Sequence, residues 1–366
     1  MGFKLAIVMR NESIRLNGIL YNRSNFEQLH FIDEPHDSWR NAIYHFLQNW
    51  FDDSNFILAH TSGSTGKPKS IQLPKQSMLN SARMTNQFFG LGNESVALLC
   101  LPASYIAGKM MLVRAMVGGF NLLTVAPSAN PFENLCTSVD FTAITPYQLF
   151  HSAESLRKAS VFKIIVGGSP VTSKLEHLSE NIPSELYETY GMTETCSHIA
   201  LRQFNGKDKS DCFIVLDGVC IRQDDRGCLV IKAPHLLKDE IQTNDVVELI
   251  GRDSFRWLGR ADSAINSGGI KIHPEQVEKK LEGIIPSGYF ISSIPDEVLE
   301  NKVVLVIGFE TYTPQQEELL KSQLENLLDK YELPKQIFYI PRFIYSSGNK
   351  MLRKATLDNC LLLSDR

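Results

Sequence analysis

No apolar segment among the 366 residues approaches the length needed to cross a bilayer, so a membrane-spanning helix is excluded from the expected architecture. Paired cysteines are missing as well. The seven cysteines (Cys100, Cys136, Cys196, Cys212, Cys220, Cys228 and Cys360) contain no Cys-x-x-Cys, and their odd number suits neither a disulfide framework nor a zinc site. Buried free thiols in a reducing cytoplasm are the simplest expectation. Nor is there an excess of one charge: 37 Lys and Arg stand against 41 Asp and Glu, a net charge of −4. That leaves no basic footprint for nucleic acid, and the basic residues are too scattered to form a membrane-binding patch. The run Met1 to Met9 carries one lysine and leads into Arg10-Asn11-Glu12-Ser13 without a small-residue cleavage site, so it reads as a strand and not a signal peptide. Internal repeats and low-complexity tracts are absent. What remains, 43% hydrophobic and 21% charged, is the composition of a soluble globular protein long enough for two or three domains.

Along the chain, Phe3 to Met9 and Ser13 to Tyr21 read as strands that carry no chemistry. Trp39, Ala42, Ile43, Phe46, Leu47 and Trp50 recur at three- and four-residue intervals, predicting an amphipathic helix over residues 35–51. Strand-like and helix-like segments then alternate. Strands are expected at 55–59, 96–101, 121–125, 141–145, 162–166 and 186–188. Helices are expected at 74–89, 106–117, 146–156 and 172–178. Continuous apolar strands separated by helices predict a mostly parallel sheet flanked by helices, an α/β architecture whose ligands gather at the carboxyl ends of the strands. From Phe213 to Leu258 short alternating strands predict a small antiparallel β unit resembling a distorted barrel. The last hundred or so residues read as a separate α+β domain with helices at 274–281 and 314–330 and a polar C-terminal tail.

The most informative stretch is Thr61-Ser62-Gly63-Ser64-Thr65-Gly66-Lys67-Pro68-Lys69. Two glycines let backbone amides turn inward as a nest, the hydroxyls add donors and the lysines add charge, a set suited to polyphosphate oxygens. A Walker A loop would need Gly five residues before Gly66, where Thr61 stands, so an ordinary P-loop is not expected. By itself such a cluster also suits a polar surface turn. Tyr190-Gly191-Met192-Thr193-Glu194-Thr195 gathers a ring, a site of close backbone approach, hydroxyls and a carboxylate, though alone it also suits a loop before a helix. Gly167-Gly168-Ser169-Pro170, Thr243-Asn244-Asp245, Gly259-Arg260-Ala261-Asp262 with Ser267-Gly268-Gly269, and Gly348-Asn349-Lys350-Met351-Leu352-Arg353 are the other strings that could carry chemistry.

Together these strings resemble the motifs of the adenylate-forming superfamily of acyl-CoA synthetases, adenylation domains and luciferases, over roughly residues 56–357. The resemblance implies a shortened N-terminal adenylation domain over 1–261 and a small mobile α+β C-terminal domain over 262–366, hinged at Asp262. It also implies that Thr61, Ser62, Gly63, Ser64, Thr65, Gly66 and Lys69 hold ATP phosphates, that Gly168, Ser169 and Pro170 form the adenine turn, and that Tyr190 stacks on adenine. Thr193 would contact the α-phosphate, Glu194 would hold Mg²⁺, Asp245 and Arg260 would meet the ribose or phosphate, and Gly268 and Gly269 would serve the thioester step with coenzyme A. Lys350 aligns with the catalytic lysine because its spacing to Arg353 is kept. The chain departs from the pattern at Asn244, where Gly is usual, at Asn349, and at Tyr105, where many relatives have His. Asn244 is expected in a turn that needs positive φ. The chain is most similar to short 2-succinylbenzoate-CoA ligases of menaquinone biosynthesis, in which Tyr105, Lys109, Ser197 and His198 would face the acid. The expectation is ATP-dependent ligation of an aromatic carboxylate to CoA in the cytoplasm. A synthetase loading a carrier protein and a non-catalytic nucleotide-binding relative share the same motifs.

Overall fold

The computed structural model describes residues 13–29, 35, 38–60, 70–308, 312–345 and 351–364, and the expected strand at Phe3 to Met9 lies outside them. The chain forms two compact units. One comprises 1–221, 231–241 and 250–255, the other 222–230, 242–249 and 256–366.

In the first unit, β1 (Ser13–Leu16) and β2 (Ile19–Asn22) form a hairpin where the sequence suggested one continuous strand. The Asn17-Gly18 turn, with φ of 49° and 85°, folds the run back on itself. α1 (Trp39–Phe51) follows, its N-terminus capped by the Ser38 side chain. Next, β3 (Phe56–His60) pairs antiparallel with β4 (Ser70–Pro74) in a sheet of two strands. The strand that leads into Thr61 thus belongs to a separate hairpin and not to the parallel sheet. A short apolar run specifies a strand but not its partner.

After α2 (Lys75–Phe89) the chain forms β5 (Val96–Leu99), α3 (Ile106–Gly118), β6 (Asn121–Thr124), β7 (Val139–Ile144), α4 (Pro146–Leu156), β8 (Val161–Val166), α5 (Ser173–Ser179) and β9 (Glu185–Gly191). Strands β1, β6, β5, β7, β8 and β9 are parallel neighbours in that order, and β10 (His198–Gln203) and β11 (Phe213–Val215) extend the sheet antiparallel. Alternation of side chains sets its two faces. Ile164 and Leu186 pack with Leu149 and Leu156 of α4 and Leu175 of α5. On the other face the Phe89 ring of α2 lies 5.1 Å from both Phe141 and Tyr187, and Lys163 donates to the Phe89 carbonyl. Because β5, β7, β8 and β9 run in one direction, residues 100–105, 145, 167–170 and 190–194 emerge at the same edge.

The linking strands β12 (Cys220–Gln223), β13 (Cys228–Lys232), β14 (Ile241–Leu249) and β15 (Ser254–Arg260) are divided between the units. In the second unit, β16 (Ile265–Ser267), β17 (Ile270–Ile272), α6 (Pro274–Lys280), β18 (Tyr289–Asp296), β19 (Glu300–Ile307), α7 (Pro314–Leu327), β20 (Gln336–Tyr339) and α8 (Arg353–Ser364) form an α+β body. Val303, Leu305 and Ile307 of β19 face Val277 of α6 and Leu320 and Leu324 of α7, while Val304 and Val306 face Leu357 and Cys360 of α8. The expected polar tail is therefore a helix. Its apolar positions are spaced among charged residues, and only the opposite sheet face reveals their use.

None of the seven cysteines is in a disulfide; Cys100, Cys196, Cys228 and Cys360 are buried, but Cys136 and Cys220 are exposed. Burial pushes the Cys100 and Cys196 thiols up to about 12, which removes them as nucleophiles at neutral pH. Among the described residues no helix is long and apolar enough to cross a membrane.

Candidate active site

The sheet edge of the first unit gathers two of the sequence motifs. At the end of β8, Gly168, Ser169 and Pro170 are exposed, with the Gly167 amide anchored to the Ile144 carbonyl at 3.1 Å. At the end of β9 the Tyr190 ring sits 5.1 Å from Phe255 and 5.8 Å from Phe213 in edge-on contacts. The next residue must be glycine for steric reasons. A Cβ on Gly191 would lie 2.5 Å from both the Ser197 carbonyl oxygen and His198 Cα. This close approach folds Met192 to Ser197 into a short 3₁₀ turn, closed by Thr195 Oγ1, which donates to backbone carbonyls and accepts from the Met192 amide. Thr193 is half-buried, and Glu194 presents an exposed carboxylate. Strand β4 contacts this turn, so the hairpin that flanks residues 61–69 is its neighbour. Residues Thr61, Ser62, Gly63, Ser64, Thr65, Gly66 and Lys69 themselves lie outside the described residues, as does Lys350.

Beyond the turn lies a group that sequence patterns did not reveal. Arg114 stands in the middle of α3 among Met110, Met111, Leu112, Val113, Ala115 and Met116, all buried, and is itself only 2% exposed. It has no carboxylate partner among the described residues. One guanidinium nitrogen donates to Ser197 Oγ at 2.6 Å, another approaches Met111 Sδ at 3.6 Å, and Nε has no hydrogen-bond partner. Burial pushes the guanidinium's pKa down to about 9.

Ser197 Oγ also lies 3.3 Å from His198 Nδ1, and His198 Nε2 lies 3.2 Å from Thr85 Oγ1. Thr85 places its proton on the Ser81 carbonyl, at 3.2 Å. Its oxygen is then left to accept from His198 Nε2–H, which makes Nδ1 the acceptor of the Ser197 proton. This assignment is that of a neutral imidazole, the form that its burial favours. Burial, and after it the Arg114 charge, hold the His198 pKa well below its ordinary value. A charged residue between the apolar runs 110–113 and 115–117 was the one signal that could have pointed to Arg114; its link to Ser197 spans 83 residues.

The four residues expected to face the acid fall into two groups. Ser197 and His198 surround Arg114. Tyr105 and Lys109 line a cavity of about 980 Å³ with residues of α1 and β3, and Lys109 Nζ donates to the Leu58 carbonyl at 2.9 Å.

The second unit holds the remaining motif residues. Thr243, Asn244 and Asp245 lie inside β14, so the expected turn is a strand and Asn244 needs no positive φ. Asp245 accepts from Trp257 Nε1 at 3.2 Å and lies 3.8 Å from Arg260. Arg260 makes a bidentate pair with Asp262 at 2.8 and 2.6 Å. Gly268 and Gly269, at φ 57° and 79°, form the turn between β16 and β17. Arg353, three residues after Lys350, donates to Glu278 at 2.8 Å, and burial pushes the Glu278 carboxyl up to about 7 even with that partner.

Among the described residues no cluster of three or more His, Cys, Asp or Glu could hold a metal ion. The exposed Glu194 nonetheless fits Mg²⁺, which takes one or two carboxylates and completes its shell with substrate phosphates and water.

A family model described as AMP-binding enzyme matches residues 8–230. An acyl-CoA synthetase (AMP-forming)/AMP-acid ligase II-like protein from Dyadobacter fermentans is 33% identical, with a TM-score of 0.60 covering 93% of this chain and 99% of that one. A 2-succinylbenzoate–CoA ligase of a Geobacillus species is 25% identical over 344 residues, 84% of this chain and 70% of its own length. The o-succinylbenzoate coenzyme A synthetase of Bacillus subtilis, solved with ATP and magnesium ion, shares the fold with a TM-score of 0.67 at 23% identity, over 82% of this chain and 69% of that one.

Proposed function

The chain belongs to the AMP-binding enzyme family, and on that premise we propose that it is an ATP-dependent acid–CoA ligase whose acid carries a second carboxylate, with 2-succinylbenzoate the best fit. The observation that carries the reading is Arg114. A guanidinium 2% exposed and without a carboxylate partner is costly unless it meets an anion, and Ser197 aims it from the element that also bears Thr193 and Glu194. A dicarboxylate supplies both needs: one carboxylate reacts while the other meets Arg114. The relatives named for 2-succinylbenzoate support the same choice.

In the first half-reaction a carboxylate oxygen of the acid bonds to the α-phosphorus of ATP, and the bond to the pyrophosphate oxygen breaks. Thr193 positions the α-phosphate, Tyr190 with the 168–170 turn seats adenine, and residues 61–69 hold the outgoing phosphates. Glu194 would hold Mg²⁺ together with the ATP phosphates, and the ion would supply charge neutralisation there. In the second half-reaction the CoA thiolate attacks the acyl carbonyl and AMP leaves with the electron pair. Asp245 and Arg260 serve the nucleotide, and Asp262 is the hinge between domains at 1–261 and 262–366. Gly268 and Gly269 serve the thioester step.

Lys350 stabilises charge only in the first half. Lys350→Ala should therefore slow acyl-adenylate formation by about a hundred- to a thousandfold, roughly 2.7–4 kcal/mol, and spare conversion of supplied acyl-adenylate to thioester. Lys354→Ala, an exposed position in the first turn of α8, should leave both halves intact. Release of ADP and phosphate in place of AMP and pyrophosphate would overturn the assignment.

A further inference from the structure

Helix α2 carries polar residues on a face that the fold buries. Ser77, Ser81 and Thr85 recur at four-residue steps, and all three are buried, Thr85 completely at 0% exposure. A hydroxyl without access to water must find its partners inside the fold. Thr85 has two. It donates to the Ser81 carbonyl one turn back, at 3.2 Å, and its oxygen lies 3.2 Å from His198 Nε2. The neighbouring Asn86 donates from Nδ2 to the Arg114 carbonyl at 2.9 Å, so the same turn of α2 also grips the backbone of Arg114.

With the protons placed as the Ser81 carbonyl requires, four hydrogen bonds run in one direction. Arg114 donates to Ser197, Ser197 to His198 Nδ1, His198 Nε2–H to Thr85, and Thr85 to the Ser81 carbonyl, at 2.6, 3.3, 3.2 and 3.2 Å. Each hydroxyl and the ring accept one bond and donate the next, the arrangement in which every bond polarises its neighbour. The direction is set at the Thr85 end, because a carbonyl oxygen can only accept. Without the Thr85 oxygen, a proton on Nε2 would lose its acceptor and the imidazole would carry it on Nδ1 instead. His198 and Arg114 would then both donate to Ser197, whose own proton would no longer be held by the ring.

We propose that Thr85 is a positioning residue for recognition of the acid's second carboxylate: by selecting the Nε2–H tautomer of His198 it commits the Ser197 proton to the ring and the Ser197 oxygen to Arg114, which holds the guanidinium in one orientation. This role rests on the ligase reading of Arg114. Thr85 acts through His198 and Ser197, not by contact with the acid.

The test reads tautomer and specificity on the full chain. In nitrogen NMR of the histidine rings, with the His198 signals identified by their loss in His198→Asn, the unaltered protein and Thr85→Ser should show the proton on Nε2. Thr85→Val, which keeps the shape and removes the hydroxyl, should move it to Nδ1. In ATP–pyrophosphate exchange Thr85→Val should cut the preference for 2-succinylbenzoate over benzoate about fivefold, the worth of one net hydrogen bond. The loss should fall on KM for the dicarboxylate and not on kcat, and Thr85→Ser should restore it. In a Ser197→Ala background Thr85→Val should cost nothing further, because the link it acts through is already gone. Should Thr85→Val fail to fold, Thr85→Ala takes its place. A proton on Nδ1 in the unaltered chain, a preference untouched by loss of the hydroxyl, or losses that add in full to those of Ser197→Ala would overturn the proposal and leave the ligase reading standing. Exchange with no dicarboxylate preference in the unaltered chain would instead overturn the dicarboxylate reading, and the positioning role with it.

Discussion

Two arginines are buried in the first unit, and their surroundings are opposite. Arg202, on β10, donates to Glu188 at 2.6 and 2.9 Å and pairs with Glu176 at 2.8 Å, with its guanidinium 5.9 Å from the Phe213 ring. Burial alone would lower its pKa, but the charges of Glu188 and then Glu176 outweigh that and raise it. Arg114 is buried at least as deeply and has a serine, a thioether and an unused Nε. The first network is closed; it joins α5, β9 and β10 and requires nothing from outside. The second has only neutral partners among the described residues, and on the proposed function its anion is the acid's second carboxylate. A buried cation with satisfied acids is architecture, whereas one with only neutral partners is a receptor for charge.

Substitution separates the two most strongly. Arg202→Met leaves Glu188 and Glu176 buried without their cation and should cost about 3–5 kcal/mol, visible as a lower urea midpoint. Arg114→Met removes a charge without a carboxylate partner from an apolar stretch and should leave stability unchanged or raise it by up to about 1 kcal/mol, with the urea midpoint following. Equal losses in both would erase the distinction.

The next effect is in pH. His198 has a folded pKa well below the ordinary 6.5, so above that pH the imidazole is neutral in folded and unfolded chains alike. Below 6.5 the unfolded chain takes up a proton that the folded one refuses. Stability should fall as pH drops from 6.5 towards the folded value, by at most about 1.4 kcal/mol per pH unit for one proton. His198→Asn should flatten that slope in urea unfolding measured between pH 7 and 5.5. The smallest effect is expected from Ser197→Ala, which removes one aiming contact. It should weaken acid binding by about 1 kcal/mol, or roughly fivefold, and leave ATP binding unaltered in a direct titration.

Much of this was legible in the chain. Apolar periodicity located α1 to α5, and the parallel order placed the 168–170 turn and the Tyr190 to Glu194 segment at one sheet edge, because such strands direct their carboxyl ends the same way. Where reading stopped short, the cause was distance. The partner of β3 is chosen by β4 and not by its own five residues. The helix at Arg353–Ser364 has amphipathic spacing that only the β19 face discloses. The family resemblance led to a turn being expected at Thr243-Asn244-Asp245, yet ladder pairing keeps it extended. Arg114 was passed over because a charge among apolar neighbours does not say what it meets, and its meaning comes from Ser197 and His198 across the fold.

On the proposed function, Arg114 reads a second carboxylate on the acid. ATP–pyrophosphate exchange driven by 2-succinylbenzoate and by benzoate, in the unaltered chain and in Arg114→Met, measures it directly. A charge-assisted contact worth about 2 kcal/mol predicts a preference of roughly thirtyfold in kcat/KM for the dicarboxylate, collapsing to near unity in the variant. Exchange that favours benzoate, or a preference that survives Arg114→Met, would contradict it.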